Sequence, residues 1–234
     1  MPVIKTDAFV LKGFRYGESS KIVTLFTREA GKISAVVKGA RNYKSRLCGL
    51  TESMNYISAI VYFKENRDLQ LISSAEYKNS FPVIIKDFEK LQISFKIIEI
   101  VNKSLGENEV NDRLFELLLS TFERLNSLNE NNNLINLDFQ IKLTDILGLN
   151  PEILIRENGF ETFMGYNELK LSQKQILILK DLDKTDKKFY IGDSFEEDDI
   201  VNLTDKYERY LLSHTNGSGF YNTKKAFNDF NRIK

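Results

Sequence analysis

The hydrophobic period of this chain changes at Phe81-Pro82, and that change limits what the chain can fold into. Before it, apolar and polar residues alternate in short runs: Ile33, Ala35 and Val37 share one parity, Lys32, Ser34 and Lys38 the other. Successive side chains of a strand point to opposite faces, so the pattern is strand-like. Five such segments are expected, near 4–14, 21–28, 31–40, 54–64 and 68–76. Tyr16-Gly17-Glu18, Ala30-Gly31, the polar stretch 41–53 and Glu65-Asn66-Arg67-Asp68 separate them. Five short strands in roughly 80 residues suit a small closed barrel of the OB type. An SH3-like barrel fits the periodicity nearly as well.

After Phe81-Pro82 the apolar residues recur at steps of three and four, the spacing of one helix face. Ile84, Phe88, Leu91, Phe95 and Ile98 form one stripe, and Leu114, Leu117, Leu118, Phe122 and Leu125 a second. A third helix runs from Leu134 to Leu147, stopped by Gly148 and Pro151. Residues 152–172 are irregular, helical signal returns at 173–182 and 195–213, and the last dozen residues suit one more short helix. The expected fold is therefore α+β in two domains: an OB-fold barrel over 1–80 and an all-α helical domain over 81–234.

The chain of 234 residues has 33 Lys and Arg against 33 Asp and Glu. That zero hides an asymmetry. Residues 1–80 hold 13 bases and 7 acids, so the remainder is acidic by the same margin. Between Glu29 and Glu52 lie 22 residues without an acid and with five bases: Lys32, Lys38, Arg41, Lys44 and Arg46. Four of the five fall in Lys38-Gly-Ala-Arg-Asn-Tyr-Lys-Ser-Arg46, beside Tyr43. Cations neutralise phosphates without regard to sequence, and an aromatic among them offers a base a face to stack on. Arg15, Tyr16 and Lys21, around the first turn, can join the same surface. A solvated loop of scattered charges is the plain alternative.

Other chemistry is thin. One cysteine (Cys48) and one histidine (His214) cannot assemble a cysteine or histidine zinc site, nor can a lone cysteine form an internal disulfide. The opening Met1-Pro-Val-Ile-Lys-Thr-Asp7 has no apolar core of signal-peptide length, and the apolar runs are far too short to span a membrane. A cytoplasmic location, without membrane contact, is expected. The acidic run Asp193 to Asp199 reads as a helix start with a Ser194–Glu197 capping box rather than a metal site. His214 closes that helix, Cys48 is a small structural residue, Gly217-Ser-Gly219 is a poor phosphate loop, and no Walker-type loop occurs.

The first fifty residues resemble one family. Asp7-Ala8-Phe9-Val10-Leu11 is followed by Tyr16-Gly17-Glu18-Ser19-Ser20, Ile22-Val23-Thr24-Leu25-Phe26-Thr27, Gly31-Lys32, Val37-Lys38-Gly39-Ala40-Arg41 and Lys44-Ser45-Arg46-Leu47. That order is similar to the N-terminal domain of RecO, the bacterial recombination-repair mediators. Leu147-Gly148-Leu149-Asn150-Pro151 resembles the Leu-Gly-x-x-Pro that ends a helix in the family's C-terminal half.

The resemblance implies an OB domain followed by helices, no catalytic turnover and no cofactor. It implies binding of single- and double-stranded DNA and annealing of complementary strands. It further implies help, with RecR, in loading RecA onto strands coated by SSB, whose C-terminal tail binds family members; this work would be done in the cytoplasm at the nucleoid. Carried over by position, the DNA contacts are drawn from Lys38, Arg41, Lys44 and Arg46, with Arg15, Lys21, Lys32 and Tyr43 beside them. One departure stands out. Many members carry a four-cysteine zinc module after the Leu-Gly-x-x-Pro, and no cysteine follows Cys48 here, so a metal-free stretch at about 152–172 takes its place. The alternatives are a non-catalytic adaptor whose barrel docks a protein, and a metal-dependent nuclease, for which the acidic run is a weak basis.

Overall fold

The computed structural model describes residues 2–127, 130–151, 153–155, 162–164, 169–184 and 195–214. Ser194, Gly217-Ser218-Gly219 and the short terminal helix expected from the sequence lie outside them.

Five strands, β1 (Val3–Tyr16), β2 (Ser20–Thr27), β3 (Gly31–Val37), β4 (Tyr56–Tyr62) and β5 (Leu69–Asn79), close into a barrel in the order β1-β2-β3-β5-β4. β3 and β5 run parallel and every other pair antiparallel. With the single-turn helix α1 (Leu47–Leu50) between β3 and β4, this is the OB arrangement, and the SH3-like alternative is set aside. The inward residues of the alternation form the core: Ala8, Val10, Val23, Leu25, Ile33, Ala35, Val37, Ile57, Ala59, Val61 and Ile72. Each large aliphatic among them contributes about 1.5–3 kcal/mol by leaving water. Ala40 and Leu50, from the connection after β3, join this core.

On the other face, the middle of β1, the end of β2 and the start of β4 are buried by aromatic rings. Phe9 stacks on its cross-strand neighbour Tyr56 at 4.9 Å and meets Phe115 edge-on at 5.7 Å, and Phe26 lies 5.4 Å from Phe115. The Arg28 guanidinium sits 4.5 Å from the Phe115 centroid and pairs with Glu116 at 2.5 Å. That carboxylate's hydrogen bond raises the Arg28 pKa, and burial raises that of Tyr56. Gly31 is held at φ +66°, where a Cβ would lie 2.3 Å from the Glu109 carbonyl oxygen, so the 106–109 segment lies against the start of β3. These contacts extend the first compact unit to Glu116, beyond the period change.

Three helices follow the barrel: α2 (Pro82–Lys86), α3 (Phe88–Ser104) and α4 (Asp112–Leu125). The single helix expected over this stretch is two, and its buried stripe lies elsewhere than on Phe88, Leu91 and Phe95. Asp87 breaks the run with extended φ/ψ (−115°, 117°), and its side chain accepts from the Lys90 backbone N–H, an N-cap. The buried face of α3 is then Ile93, Ile97, Ile98, Ile100 and Val101, while Phe88 is left 44% exposed.

The second compact unit begins at Leu117. It holds α5 (Asn132–Ile146), α6 (Gln173–Lys184) and α7 (Glu197–His214) around Leu137, Ile178, Leu203, Tyr207 and Tyr210. Asn131 caps the start of α5 through the Leu134 N–H. Gly148, at φ +66°, ends it as the sequence predicts, with Leu149 N–H donating to Thr144 O at 2.8 Å. One element was not foreseen. Within 152–172, where the pattern is irregular, β6 (Ile153–Ile155), β7 (Thr162–Met164) and β8 (Leu169–Leu171) form a small antiparallel sheet, a departure from the all-α expectation for 81–234.

Candidate nucleic-acid interface

The basic segment leaves β3 at Val37 and returns through α1. Its backbone is fixed by short-range turns: Asn42 N–H to Gly39 O at 3.0 Å, Ser45 N–H to Asn42 O at 2.8 Å and Cys48 N–H to Ser45 O at 3.1 Å. The Asn42 side-chain oxygen also accepts from the Lys44 N–H, and Gly39 takes φ +71°. Ala40, fully buried, pins the loop to the barrel from below. With its backbone committed inward, the loop can only send its long side chains outward. Lys38, Arg41, Lys44 and Arg46 are all exposed. Tyr43 is 83% exposed, with the Lys44 ammonium 5.7 Å from its ring centroid.

The loop is joined to the β1–β2 turn. Arg41 donates its backbone N–H to Ser19 O at 2.9 Å and its Nη1 to Gly17 O at 2.6 Å. A guanidinium has five N–H donors, so this anchor leaves most of them for a ligand. It also brings Arg15 and Tyr16, both exposed in the same hairpin, onto the surface of the loop. Among the described residues no carboxylate pairs with Arg15, Lys38, Lys44 or Arg46. The structure therefore gathers Arg15, Lys38, Arg41, Tyr43, Lys44 and Arg46 at one end of the barrel.

Two candidates leave the set. Lys32 points the other way: its Nζ donates to the carbonyls of Asn102 and Leu105 at the end of α3 and lies 3.6 Å from Glu107. Its side chain is 12% exposed, and its charge satisfies a helix C-terminus. Lys21 is ion-paired to Glu52 at 2.5 Å with its side chain 15% exposed. The anchoring role of Arg41 has no signal in the sequence, since nothing local marks a bond to a carbonyl 24 residues away.

The remaining motifs resolve into structure. In the acidic run, Glu196 and Asp199 lie 2.9 Å and 3.6 Å from Lys174, whose pKa their hydrogen bonds and charge raise. Glu197 accepts from the side-chain amides of Asn131 and Asn133. His214 Nδ1 lies 2.8 Å from the Tyr210 carbonyl oxygen. Among the described residues no helix is long and apolar enough to cross a membrane.

A closed OB barrel with an exposed cationic loop at one end, continued by helices, defines an OB-domain protein with a helical extension. The sequence comparisons sharpen this. The family model for the N terminus of recombination protein O matches residues 1–81, and the model for its C terminus matches residues 85–153. Relatives named DNA repair protein RecO include those of Chlorobium phaeobacteroides, 38% identical, and Pelodictyon phaeoclathratiforme, 36%, each over 151 residues and 64% of this chain. That of Salinibacter ruber is 32% identical over the same length. The matched region spans 58% of each of these relatives. The chain belongs to the RecO family.

Proposed function

We propose that this chain is a DNA-binding recombination mediator. It binds single- and double-stranded DNA through the cationic end of its barrel and promotes annealing of complementary strands. With RecR, it assists RecA in loading on single strands coated by SSB, whose tail it also binds. The observation that carries the reading is a set of exposed, acid-free cations on a loop held rigid by its own turns. Annealing is opposed by repulsion between two phosphate chains. A surface that neutralises both lowers that barrier, and no covalent bond has to be made or broken. The names of the relatives and the family match support the repair context; the partners rest on the family alone.

The test is a titration of a fluorescent single strand at a series of salt concentrations. Five cations on phosphates give a slope of log K against log salt of about −3.5, from roughly 0.7 per neutralised phosphate on a single strand. Replacing Lys38, Arg41, Lys44 and Arg46 together by alanine is expected to cut the magnitude of the slope by about 2.8 and to slow annealing. A slope that survives the quadruple replacement would place DNA elsewhere and end this reading.

A further inference from the structure

The cationic loop runs into α1, and beyond α1 the surface turns concave. A groove of about 290 Å³ lies between the connection from α1 to β4 and the connection from β5 to α2. Met54, Phe81 and Ile85 give it apolar walls, and Tyr77 on β5, half exposed, lends it a ring. Among the described residues Glu52 is the one charged group that lines it. The walls are fixed before anything binds. Met54 is held at φ +78° with its N–H donating to Val10 O at 2.9 Å, and Phe81 at φ +47° with its N–H donating to the Asn79 side-chain oxygen at 3.0 Å. Bulky side chains disfavour this left-handed backbone, so the surrounding bonds and not local preference keep both residues there.

The lining constrains the occupant. Glu52 gives one carboxylate oxygen to Lys21 at 2.5 Å, and its side chain is 64% exposed. A carboxylate has room for a second cation: Asp138 takes Arg124 and Lys142 together. The groove thus offers a charged acceptor, an aromatic face and an apolar trough. The compact ammonium of a lysine makes little use of the ring, and a neutral aromatic side chain leaves the carboxylate unused. A guanidinium uses all three, because it is planar, stacks on rings, forks onto carboxylates and rides on an apolar stem. The chain already seats one guanidinium in this way: Arg28 lies 4.5 Å from the Phe115 centroid and pairs with Glu116 at 2.5 Å. Tyr77 and Glu52 present the same two kinds of partner, and no guanidinium of a described residue lines the groove. Its volume is at the small end of ligand sites and suits one side chain. Free arginine fits less well, since no base of the lining can pair with its α-carboxylate.

We infer that this groove receives an arginine side chain of a protein partner, its guanidinium stacked on Tyr77 and forked onto Glu52. The site stands apart from the DNA-binding reading, because none of Lys38, Arg41, Lys44 and Arg46 lines it. It is close to that loop along the chain, however, since Arg46 directly precedes α1, whose Gly49 is part of the lining. A partner seated here is held beside the cationic loop without covering it.

The test titrates the full, isotope-labelled chain with N-acetyl-arginine methylamide, a blocked form of the side chain, and follows amide signals by NMR. Those of Glu52, Ser53, Asn55 and Tyr77 are expected to shift and saturate. The matching citrulline compound is as long and as flat but neutral; it and the lysine compound are expected to bind about tenfold more weakly or worse, as the loss of a charge-assisted fork implies. Glu52→Gln and Tyr77→Leu should each weaken the arginine probe about tenfold, and Tyr77→Phe should keep its affinity. Lys21→Met removes the ion pair but not the carboxylate, and should hold or tighten binding; a loss as large as that of Glu52→Gln would make the pair, not the carboxylate, the feature that matters and overturn the assignment. Absence of saturable shifts, or equal binding of the citrulline compound, would overturn it too. Equal binding of N-acetyl-phenylalanine methylamide would make the groove a seat for apolar rings, and tighter binding of free arginine than of the blocked probe would make it a small-molecule site; either result ends the inference.

Discussion

In the second unit Asp138, its side chain 6% exposed, takes Arg124 at 2.5 Å and Lys142 at 3.0 Å; in the first, Lys38, Lys44 and Arg46 stand exposed with no carboxylate paired to them among the described residues. Arg124 also reaches Glu130, and Lys174 reaches Glu196 and Asp199. These charges of the helical unit are spent within the fold, whereas those at the end of the barrel are kept available. Net charge therefore says little about where such a protein meets a polyanion. The informative quantity is which cations lack an internal counter-charge, because only those can exchange condensed counterions for phosphates.

The comparison breaks most easily at Asp138. If the helical charges are structural, Asp138→Ala leaves Arg124 partly buried without its closest carboxylate. Removing one partner of a buried pair costs about 3–5 kcal/mol, less the share that solvent screens at the Arg124 end. Urea unfolding is expected to show a loss toward the lower end of that range, with single-strand affinity unchanged at temperatures where the variant is folded. A drop in DNA affinity with stability intact would assign the acidic unit a binding role and erase the contrast.

Lys32 and Lys38 sharpen it within one strand and its extension. Lys32→Met removes an ammonium that donates to two backbone carbonyls in a site 12% exposed. Hydrogen bonds to charged groups are worth roughly 1.5–3 kcal/mol, so a loss of about 2 kcal/mol in urea is expected, without effect on the salt slope. Lys38→Met is expected to do the reverse, shifting stability by less than about 0.5 kcal/mol and the slope by about 0.7. Identical behaviour of the two variants would show that exposure does not separate structural from ligand-facing lysines here.

These two lysines also show where the sequence stops being legible. They lie six positions apart with the same outward parity in one alternating run. What separates them is the 106–109 segment, which meets the start of β3 through Gly31 and leaves its end open, and no local pattern encodes a contact some 75 residues away. The strands themselves were legible because alternation is a local signal, and so was the Gly148 stop. The parallel closure of β3 on β5 was not, since pairing across about 35 residues leaves no period. Phe9 and Phe26 looked like ordinary strand residues, and the Phe115 that buries their outer face sits in a helix far along the chain. The three-residue strands of 153–171 are too short to display a period of two. Of the site, the loop cations were readable as a charge run, but the Arg41 bond to the Gly17 carbonyl that ties their loop to the first turn was not. Parity also misleads at Gln70, which lies between Leu69 and Leu71 yet turns inward, 3% exposed, and bonds the Lys64 and Arg67 carbonyls.

A smaller effect tests whether the helical unit is as closed to solvent as its ion pairs suggest. Tyr207 lies in the core formed by α5, α6 and α7, and burial pushes its phenol up from 10.0 to about 12. In the unfolded chain the phenol ionises near its ordinary value, whereas in the folded chain it stays neutral. Its contribution is thus fully present below about pH 10 and is lost as pH rises toward 12, because the unfolded state alone gains the charge in between. At pH 11 the term amounts to about 1 kcal/mol. Lysines and other tyrosines titrate in the same window, so the quantity to read is the difference between the unmodified protein and Tyr207→Phe. The stability of the variant relative to the unmodified protein should rise by about that amount between pH 9 and pH 11. A pH-independent difference would mean that water reaches the phenol, and that this unit is open enough for its charges to be available to a partner after all.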